Sequence, residues 1–296
     1  MPQADPALPP EITPIDYVQR WHDIVERRRA QMDAAYAAAG IDNADYWGRR
    51  AKTYRQALHE RIEEDPFLIR VRRDVTPETT VLDVGAGTGR HTLALAPHVK
   101  RVVAVDPSPA MLGFLKEDVA EQKLTNVETV ASAWLDAEVE PAEVVLCSHV
   151  LYPIADPVLF IRKLESSARQ RVYVYLRVDP LPTDFGLWSE FYGVSLQTQP
   201  THLDLINLLA QIDIAADVEV VQHRFTWTFA DIEEAVVQVR NSLCLREDDA
   251  AGATKLRAIL ESRLIRWPNG RLGPAIESAR SAIISWQPGR SSSNNS

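Results

Sequence analysis

The chain has 296 residues, 46% of them hydrophobic, which is enough to bury a large core in one domain or in a domain with an added subdomain. No apolar run approaches the roughly 18 residues of a membrane span, and the first residues lack a secretory signal, which predicts a cytoplasmic protein without membrane contact. The net charge of −9 disfavours nucleic acid as a partner, and the two cysteines, Cys147 and Cys244, fit buried free thiols rather than a disulfide or a metal site.

The first 75 residues divide into a leader and a helical segment. Residues 1–14 are rich in proline and predict an extended or mobile leader. From residue 15 onward, apolar side chains recur at helical spacing. Three helices are predicted: one that ends at Gly40, one over residues 45–63 and a short one over residues 67–71. Residues 15–75 should therefore form a helical N-terminal cap.

The following segment, residues 76–288, predicts an α/β core. Apolar strands alternate with amphipathic helices as far as Val178, which favours a Rossmann-like, mostly parallel sheet with helices on both faces. A long alternating strand and a last strand near the end bring the predicted sheet to seven strands, the last one antiparallel. Helical insertions are expected near residues 184–193 and 230–267, and residues 289–296 form a polar, disordered tail.

A glycine-rich loop, Gly85-Ala86-Gly87-Thr88-Gly89, follows the first strand of this core. Open α/β sheets bind ligands at this edge, and glycine allows a ligand to approach the backbone closely. Asp106 ends the second strand, where a carboxylate can accept hydrogen bonds from both hydroxyls of a ribose. NAD enzymes share this layout, so the loop by itself predicts only a nucleotide-like ligand.

Two residues around the loop favour a cationic ligand. Arg90 stands where a dinucleotide fingerprint requires its last glycine. Asp83 precedes the loop, and its negative charge would repel a pyrophosphate. The same charge suits S-adenosylmethionine, whose methionine end carries an ammonium group beside a sulfonium.

Three motifs together resemble the class I S-adenosylmethionine-dependent methyltransferases over roughly residues 79–178. They are VLDVGAGTGRHTLALA, VVAVDPSPAML and AEVVLCSHVLYPI, in this order. The resemblance implies that the glycine loop contacts the methionine part, that Asp106 binds the ribose and that the fourth-strand motif borders the transferred methyl group. The residues carried over are Asp83, Gly85, Ala86, Gly87, Asp106, Pro107, Ser108, Met111, Ser148, His149 and Val150.

The chain departs from this family in the adenine pocket. Many members have an aspartate after the third strand that accepts from the adenine amino group, and Ala133 stands there in this chain. Adenine recognition would then use the Ser132 hydroxyl or the backbone of Ala133 and Trp134. The alternative for Trp134 is a core residue that closes the sheet edge.

The predicted cap contains a second resemblance, in the segment YWGRRAKTYRQAL. Small-molecule methyltransferases often have a similar W-x-x-R-A-x-x-Y stretch that lies over the cofactor. On a helix Trp47, Ala51 and Tyr54 share a face. Tyr54 or Arg50 would then contact the methionine carboxylate, and the alternative is an ordinary amphipathic face that packs on the core.

Methyl transfer needs alignment of its reactants more than a fixed catalytic set, and a base only for a protonated acceptor. His149 and Tyr152 follow the fourth strand and are the candidate bases; His149 could instead hold a neighbouring loop. Three further groups have both a functional and a structural interpretation, and for His223 the structural one is favoured. They are His91 beside the loop, His223 in the long strand, and the pair Arg177 and Asp179 after the fifth strand.

The predicted function is methyl transfer from S-adenosylmethionine to a small-molecule acceptor. The fourth-strand motif SHVLY differs from the NPPY type that methylates amino groups of nucleic acids or proteins. An aromatic stretch could roof the acceptor pocket or form core or a homodimer contact; it contains Phe185, Trp188, Phe191 and Tyr192. Two alternatives stay open: a regulatory protein that binds S-adenosylmethionine without methyl transfer, and, more weakly, an NAD-dependent oxidoreductase.

Overall fold

The computed structural model describes residues 14–42, 47, 48, 51, 55, 62–178, 186–224, 228–276 and 278–289. Its strands are β1 (Thr80–Val84), β2 (Arg101–Asp106), β3 (Val127–Ala131), β4 (Ala142–Ser148), β5 (Ala168–Arg177), β6 (Asp217–Arg224), β7 (Ile265–Arg266), β8 (Leu272–Gly273) and β9 (Ser278–Trp286). Its helices are α1 (Tyr17–Ala39), α2 (Pro66–Arg72), α3 (Arg90–Leu95), α4 (Pro109–Glu121), α5 (Pro157–Ser166), α6 (Trp188–Tyr192), α7 (His202–Gln211), α8 (Ile232–Ser242) and α9 (Ala250–Arg263).

Seven strands form one sheet in the order β3-β2-β1-β4-β5-β9-β6. Strands β1 to β5 pair in parallel, and β9 runs antiparallel to both of its neighbours, β5 and β6. Side chains of β1 and β4 are buried on both faces, which explains the unbroken apolar runs in their sequence. The predicted Rossmann-like sheet with an antiparallel last strand is therefore confirmed.

The ends of two cap helices agree with the sequence. Helix α1 begins after Asp16, whose carboxylate accepts from two backbone N–H groups, and it stops at Gly40 in the left-handed conformation. Helix α2 covers the predicted short helix and begins at a proline after the capping residue Asp65. The helix predicted over residues 45–63 lies mostly outside the described residues. The domain boundaries remain a prediction.

Helix α1 packs against the loop that follows β4. The side chain of Trp21 is fully buried, and its indole N–H donates to the carbonyl of Ile154 at 2.8 Å. Arg29 donates to the carbonyl of Pro153, three residues before Asp156 at the start of α5. The N-terminal cap therefore fixes the backbone of a loop that comes directly after the fourth-strand motif.

The helical insertions form a second hydrophobic cluster with the end of α1. Trp188 is buried in this cluster, and its ring stacks on Tyr192 with centroids 4.3 Å apart. Its neighbours from α8 and α9 include Val239 and Leu256. For Trp188, the core interpretation of the aromatic stretch therefore holds. No helix in the described ranges is both long and apolar enough to cross a membrane.

One local prediction was wrong. The sequence pattern extends the last insertion helix to Trp267, but α9 ends at Arg263 and Leu264 is already extended. Residues 265–273 form a hairpin in which the N–H of Trp267 donates to the carbonyl of Arg271 at 2.8 Å. The reason is local, because Pro268 in a helix would clash with the carbonyl of Leu264 four positions earlier, and the Asn-Gly pair that follows favours a turn.

Candidate functional site

The glycine loop is held tightly between β2 and the loop after β4. The backbone N–H groups of Gly85 and Ala86 donate to the carbonyl of Val105 at 2.8 and 3.1 Å. Gly85 has a φ of 73°, and a Cβ atom there would lie 2.3 Å from a methyl carbon of Val150. Only glycine fits this position, because both the backbone conformation and the space exclude a side chain.

The carboxylate of Asp106 faces this loop from the end of β2. One oxygen accepts from the N–H of Gly87 at 2.9 Å, and the other accepts from the N–H of Ser108 at 2.8 Å. Burial raises the pKa of Asp106, which these hydrogen bonds partly offset. Since a carboxylate has about four acceptor positions, capacity is left for two further donors such as ribose hydroxyls.

Two buried polar side chains lie at the glycine loop, Asp83 just before it and Thr88 within it. Asp83 is buried in β1 and accepts from the hydroxyl of Thr92 at 2.7 Å, so it orients the start of α3; burial raises its pKa. The hydroxyl of Thr88 is buried and has no hydrogen-bond partner in the described part of the chain. An unpartnered buried hydroxyl in a loop of this kind fits a site that is completed by a ligand. These residues therefore fit an adenosyl cofactor.

An ion pair that the sequence analysis missed joins α3 to α2. The guanidinium of Arg90 contacts one oxygen of Asp65 at 2.9 and 3.0 Å, while the other oxygen caps α2 at Phe67. His91 is buried beside this pair, 3.5 Å from Asp65. Burial would raise the pKa of Asp65, but His91 and Arg90 hold it well below its usual range. Arg90 thus links α3, the helix after the glycine loop, to α2 in the cap. In the sequence, the Asp-Pro pair at the start of α2 was the signal that Asp65 caps a helix.

The residues predicted around adenine lie next to Asp106. The N–H of Ser132 donates to the backbone carbonyl of Asp106 at 3.2 Å, and its hydroxyl contacts the carbonyl of Ala133. The ring of Trp134 is buried, and its N–H donates to the carbonyl of Phe160. The Trp134 side chain is therefore part of the core, which leaves its backbone for adenine. Two other predicted contacts lie at α4, the exposed Pro107 and the buried Met111.

The fourth-strand motif forms a cluster with the end of β5. After Ser148, the backbone of His149 turns into the left-handed region with a φ of 59°, and its N–H donates to the carbonyl of Tyr175. The Nδ1 atom of His149 lies 3.1 Å from the hydroxyl of Tyr152. That hydroxyl also accepts from the N–H of Arg177 at 2.8 Å. Tyr152 therefore links the ends of β4 and β5.

The imidazole of His149 is held in its neutral form. Burial lowers its pKa well below the usual value, and the positive charge of Arg177 lowers the pKa further. Its ring lies 4.9 Å from the ring of Tyr175, between centroids. A neutral imidazole at the end of β4 has a free lone pair for a proton, but the burial that keeps it neutral also makes it a weaker base than an exposed histidine.

This pKa predicts how stability depends on pH. The unfolded chain protonates a histidine near pH 6.5, whereas the folded chain keeps His149 neutral to lower pH. Its contribution to the free energy of unfolding is therefore complete above pH 6.5 and is lost as the pH falls below it. The variant His149→Asn keeps a residue that tolerates positive φ. In urea unfolding between pH 8 and 5, the unmodified protein should lose up to about 1.4 kcal/mol per pH unit more than this variant. Parallel curves for the two proteins would contradict the prediction.

Several predicted site residues lie outside the described residues, namely Arg50, Tyr54, Asp179 and Phe185. Two residues close to Arg50 and Tyr54 in the sequence, Ala51 and Arg55, are described. Ala51 is buried, and Arg55 forms ion pairs with Glu117 and Asp118 on α4, the helix that follows Asp106. The guanidinium of Arg55 also lies 5.0 Å from the ring of Phe114. Arg55 therefore packs on the helix that follows Asp106.

Comparisons with known proteins agree with this geometry. A family model described as a methyltransferase domain matches residues 76–218. The probable ribosomal RNA small subunit methyltransferase A of Methanosphaera stadtmanae is 31% identical over 102 residues, which are 34% of this chain and 37% of that protein. The ribosomal RNA small subunit methyltransferase A of Rhodococcus erythropolis is 36% identical over 129 residues, which are 40% of this chain and 42% of that protein. This chain thus spans about two fifths of the length of these curated relatives.

A solved structure confirms the fold. A Bacillus halodurans protein that has been provisionally assigned as a methyltransferase superposes with a TM-score of 0.51 at 16% identity. The superposition covers 75% of this chain and 96% of that protein. The cofactor of the family that the domain match identifies is S-adenosylmethionine. Residues 76–218 are thus a class I S-adenosylmethionine-dependent methyltransferase domain.

Proposed function

We propose that this protein transfers a methyl group from S-adenosylmethionine to a small-molecule acceptor. The observation that carries the proposal is the arrangement at Asp106. Both of its oxygens are oriented by the N–H groups of Gly87 and Ser108, and both keep capacity for hydroxyl donors. An acceptor of this kind beside a glycine loop, at the carboxyl edge of a parallel sheet, suits the ribose of an adenosyl ligand. The domain match supports the same donor.

The chain's own residues bind and orient the reactants. Asp106 and the glycine loop hold the adenosyl ligand, and the hydroxyl of Thr88 is available for a further hydrogen bond. When bound, S-adenosylmethionine supplies a methyl group on a positively charged sulfur that leaves as a neutral thioether, so no acid is needed. What remains for the protein is to align the acceptor, to exclude water and, for a hydroxyl acceptor, to remove its proton.

His149 and Tyr152 are the groups placed for that last task. His149 follows β4 directly and is neutral, so its lone pair is free for an acceptor's proton, although burial makes the imidazole a weak base. The hydroxyl of Tyr152 is already engaged by the N–H of Arg177 and by the ring of His149. Tyr152 therefore serves mainly to position His149, and His149 is the base for acceptors that must lose a proton.

RNA is the second candidate acceptor, because both curated relatives described above, among others, are named as ribosomal RNA methyltransferases. Their similarity covers only 34% and 40% of this chain. A net charge of −9 offers little general attraction to phosphates, and SHVLY replaces the motif typical of amino-group methylation on nucleic acids. These two observations favour a small molecule.

The test is transfer from S-adenosylmethionine labelled in its methyl group. One arm offers phenols, amines, thiols and carboxylic acids, and the other offers small ribosomal subunits and their RNA. We expect label in at least one small molecule, none in RNA, and only background with the variant Asp106→Asn. Label in RNA alone would reject the small-molecule acceptor. Calorimetric binding of S-adenosylmethionine without transfer in either arm would favour the regulatory binding protein, and binding of NAD instead would reject the donor.

A further inference from the structure

Arg177 is a half-buried cation at the end of β5 that the described structure leaves without a counter-ion. Its backbone N–H donates to Tyr152. Its guanidinium makes no hydrogen bond or ion pair with any residue in the described part of the chain. A guanidinium that is partly removed from water without an anionic partner is unfavourable, so the position suggests that a ligand supplies the missing charge.

Arg171, on the same strand as Arg177, is an example of an arginine with a structural role. Arg171 precedes Arg177 by six positions and so points to the same face of β5. It lies 3.5 Å from Asp74 and 3.7 Å from Asp217, and it contacts the hydroxyl of Ser285. Asp74 and Asp217 thus form ion pairs near the end of β5 that is opposite to Arg177. Carboxylates thus pair with Arg171, which lies away from the site. In the described part of the chain, none pairs with Arg177, which lies at the site.

Among the described residues, the surroundings of Arg177 include two aromatic groups, Tyr175 and His223. Tyr175 shares its face of the strand, and the ring of Tyr175 lies 4.9 Å from that of His149 and 6.4 Å from that of His223. His223 is held by Ser281, the residue paired with Arg177 on β9.

Asp65 is the carboxylate that acts on the pKa of His149, which it raises against the effect of burial. It is already engaged by Arg90 and His91. In the described part of the chain, the end of β5 therefore carries the charge of Arg177 with no carboxylate paired to it, on a protein of net charge −9.

We propose that Arg177 recognises an oxyanion, a carboxylate or a phosphate, on the methyl acceptor, whose reactive atom then lies beside His149. The inference rests on the proposed function. Guanidinium groups bind carboxylates and phosphates through two parallel hydrogen bonds, which fixes the direction of the ligand as well as its place. Because Tyr152 joins Arg177 to His149, an acceptor held by its anionic end is oriented relative to the residue that follows β4. The acceptor is thus a small organic acid or phosphate ester.

The test measures binding of three matched probes by calorimetry to the full-length protein saturated with S-adenosylhomocysteine. Benzoate and phenyl phosphate carry the two oxyanions, and benzamide is the neutral counterpart of benzoate. We expect at least one anion to bind at least tenfold more tightly than benzamide. Arg177→Gln should weaken that anion at least tenfold and leave benzamide and S-adenosylhomocysteine unchanged, while Arg177→Lys should lose less.

The matched control is Arg169→Gln, which removes the same charge from an exposed position at the other end of β5. It should bind all probes as the unmodified protein does. Equal binding of anions and benzamide, absence of anion binding, or equal effects of the two glutamine variants would each overturn the inference. Failure of S-adenosylhomocysteine to bind would contradict the proposed function instead, and the first titration detects it separately. The preference between benzoate and phenyl phosphate assigns the oxyanion.

Discussion

The variant Asp106→Asn is expected to bind S-adenosylmethionine at least tenfold more weakly than the unmodified protein. Each oxygen of Asp106 accepts from a backbone N–H, so an amide nitrogen in place of either oxygen would face another donor. The substitution also removes the charge that strengthens hydrogen bonds to ribose hydroxyls. Hydrogen bonds to charged groups contribute about 1.5–3 kcal/mol, and about 1.4 kcal/mol corresponds to a factor of ten in affinity. Isothermal titration calorimetry with S-adenosylmethionine and S-adenosylhomocysteine measures the effect.

A charge-matched control separates this effect from a general change in electrostatics. Asp33→Asn removes one negative charge from an exposed position on α1 and should leave the affinity unchanged. Thermal unfolding without ligand shows whether Asp106→Asn is folded at the titration temperature. A folded Asp106→Asn protein with unchanged affinity for both ligands would show that Asp106 does not bind the ribose.

The sheet was predictable because its signals are local and repeated. Strands such as β1 and β4 are apolar throughout, which is typical of strands covered by helices on both faces. Gly40 and the glycine loop were equally clear, because glycine tolerates the left-handed conformations found at Gly40 and Gly85. For these strands and glycines, the local pattern was therefore enough for a correct interpretation.

The sequence could not predict features that depend on distant partners. The ring of Trp134 is assigned to the core by its hydrogen bond to Phe160, and no local pattern records that contact. Arg90 was correctly seen to exclude a dinucleotide fingerprint, but its ion pair with Asp65 required the relative position of α2 and α3. Arg177 appeared in the sequence as half of a pair with Asp179. Only the structure shows how the ends of β4 and β5 meet around it.

The hairpin at residues 265–273 was missed for a different reason. The apolar spacing of α9 continues beyond Arg263, so periodicity alone extends the helix. The signals that end it are a proline and an Asn-Gly pair, which act on backbone conformation rather than on spacing. Backbone signals prevailed over periodicity where the two disagreed.

The variant Gly85→Ala is expected to lose about 2–4 kcal/mol of unfolding free energy and to lose most cofactor binding. A φ of 73° costs an L-residue about 1–2 kcal/mol, and an added carbon 2.3 Å from Val150 forces a shift worth about 1–3 kcal/mol. The shift would move the glycine loop, on the donor side of the proposed site, relative to the fourth-strand motif on its acceptor side. Urea unfolding and calorimetry measure the two effects.

Two further variants separate the two causes of the expected loss, the contact with Val150 and the positive φ. Val150→Ala combined with Gly85→Ala removes the methyl carbons that lie closest to the new Cβ atom, so it should recover part of the stability but not the cost of the positive φ. Gly113→Ala lies in α4 with no atom within 4 Å of its added Cβ, and it should gain about 0.5–1 kcal/mol. If Gly85→Ala instead unfolds and binds like the unmodified protein, the loop is not packed against Val150, and the contact between the donor and acceptor sides of the site must be placed elsewhere.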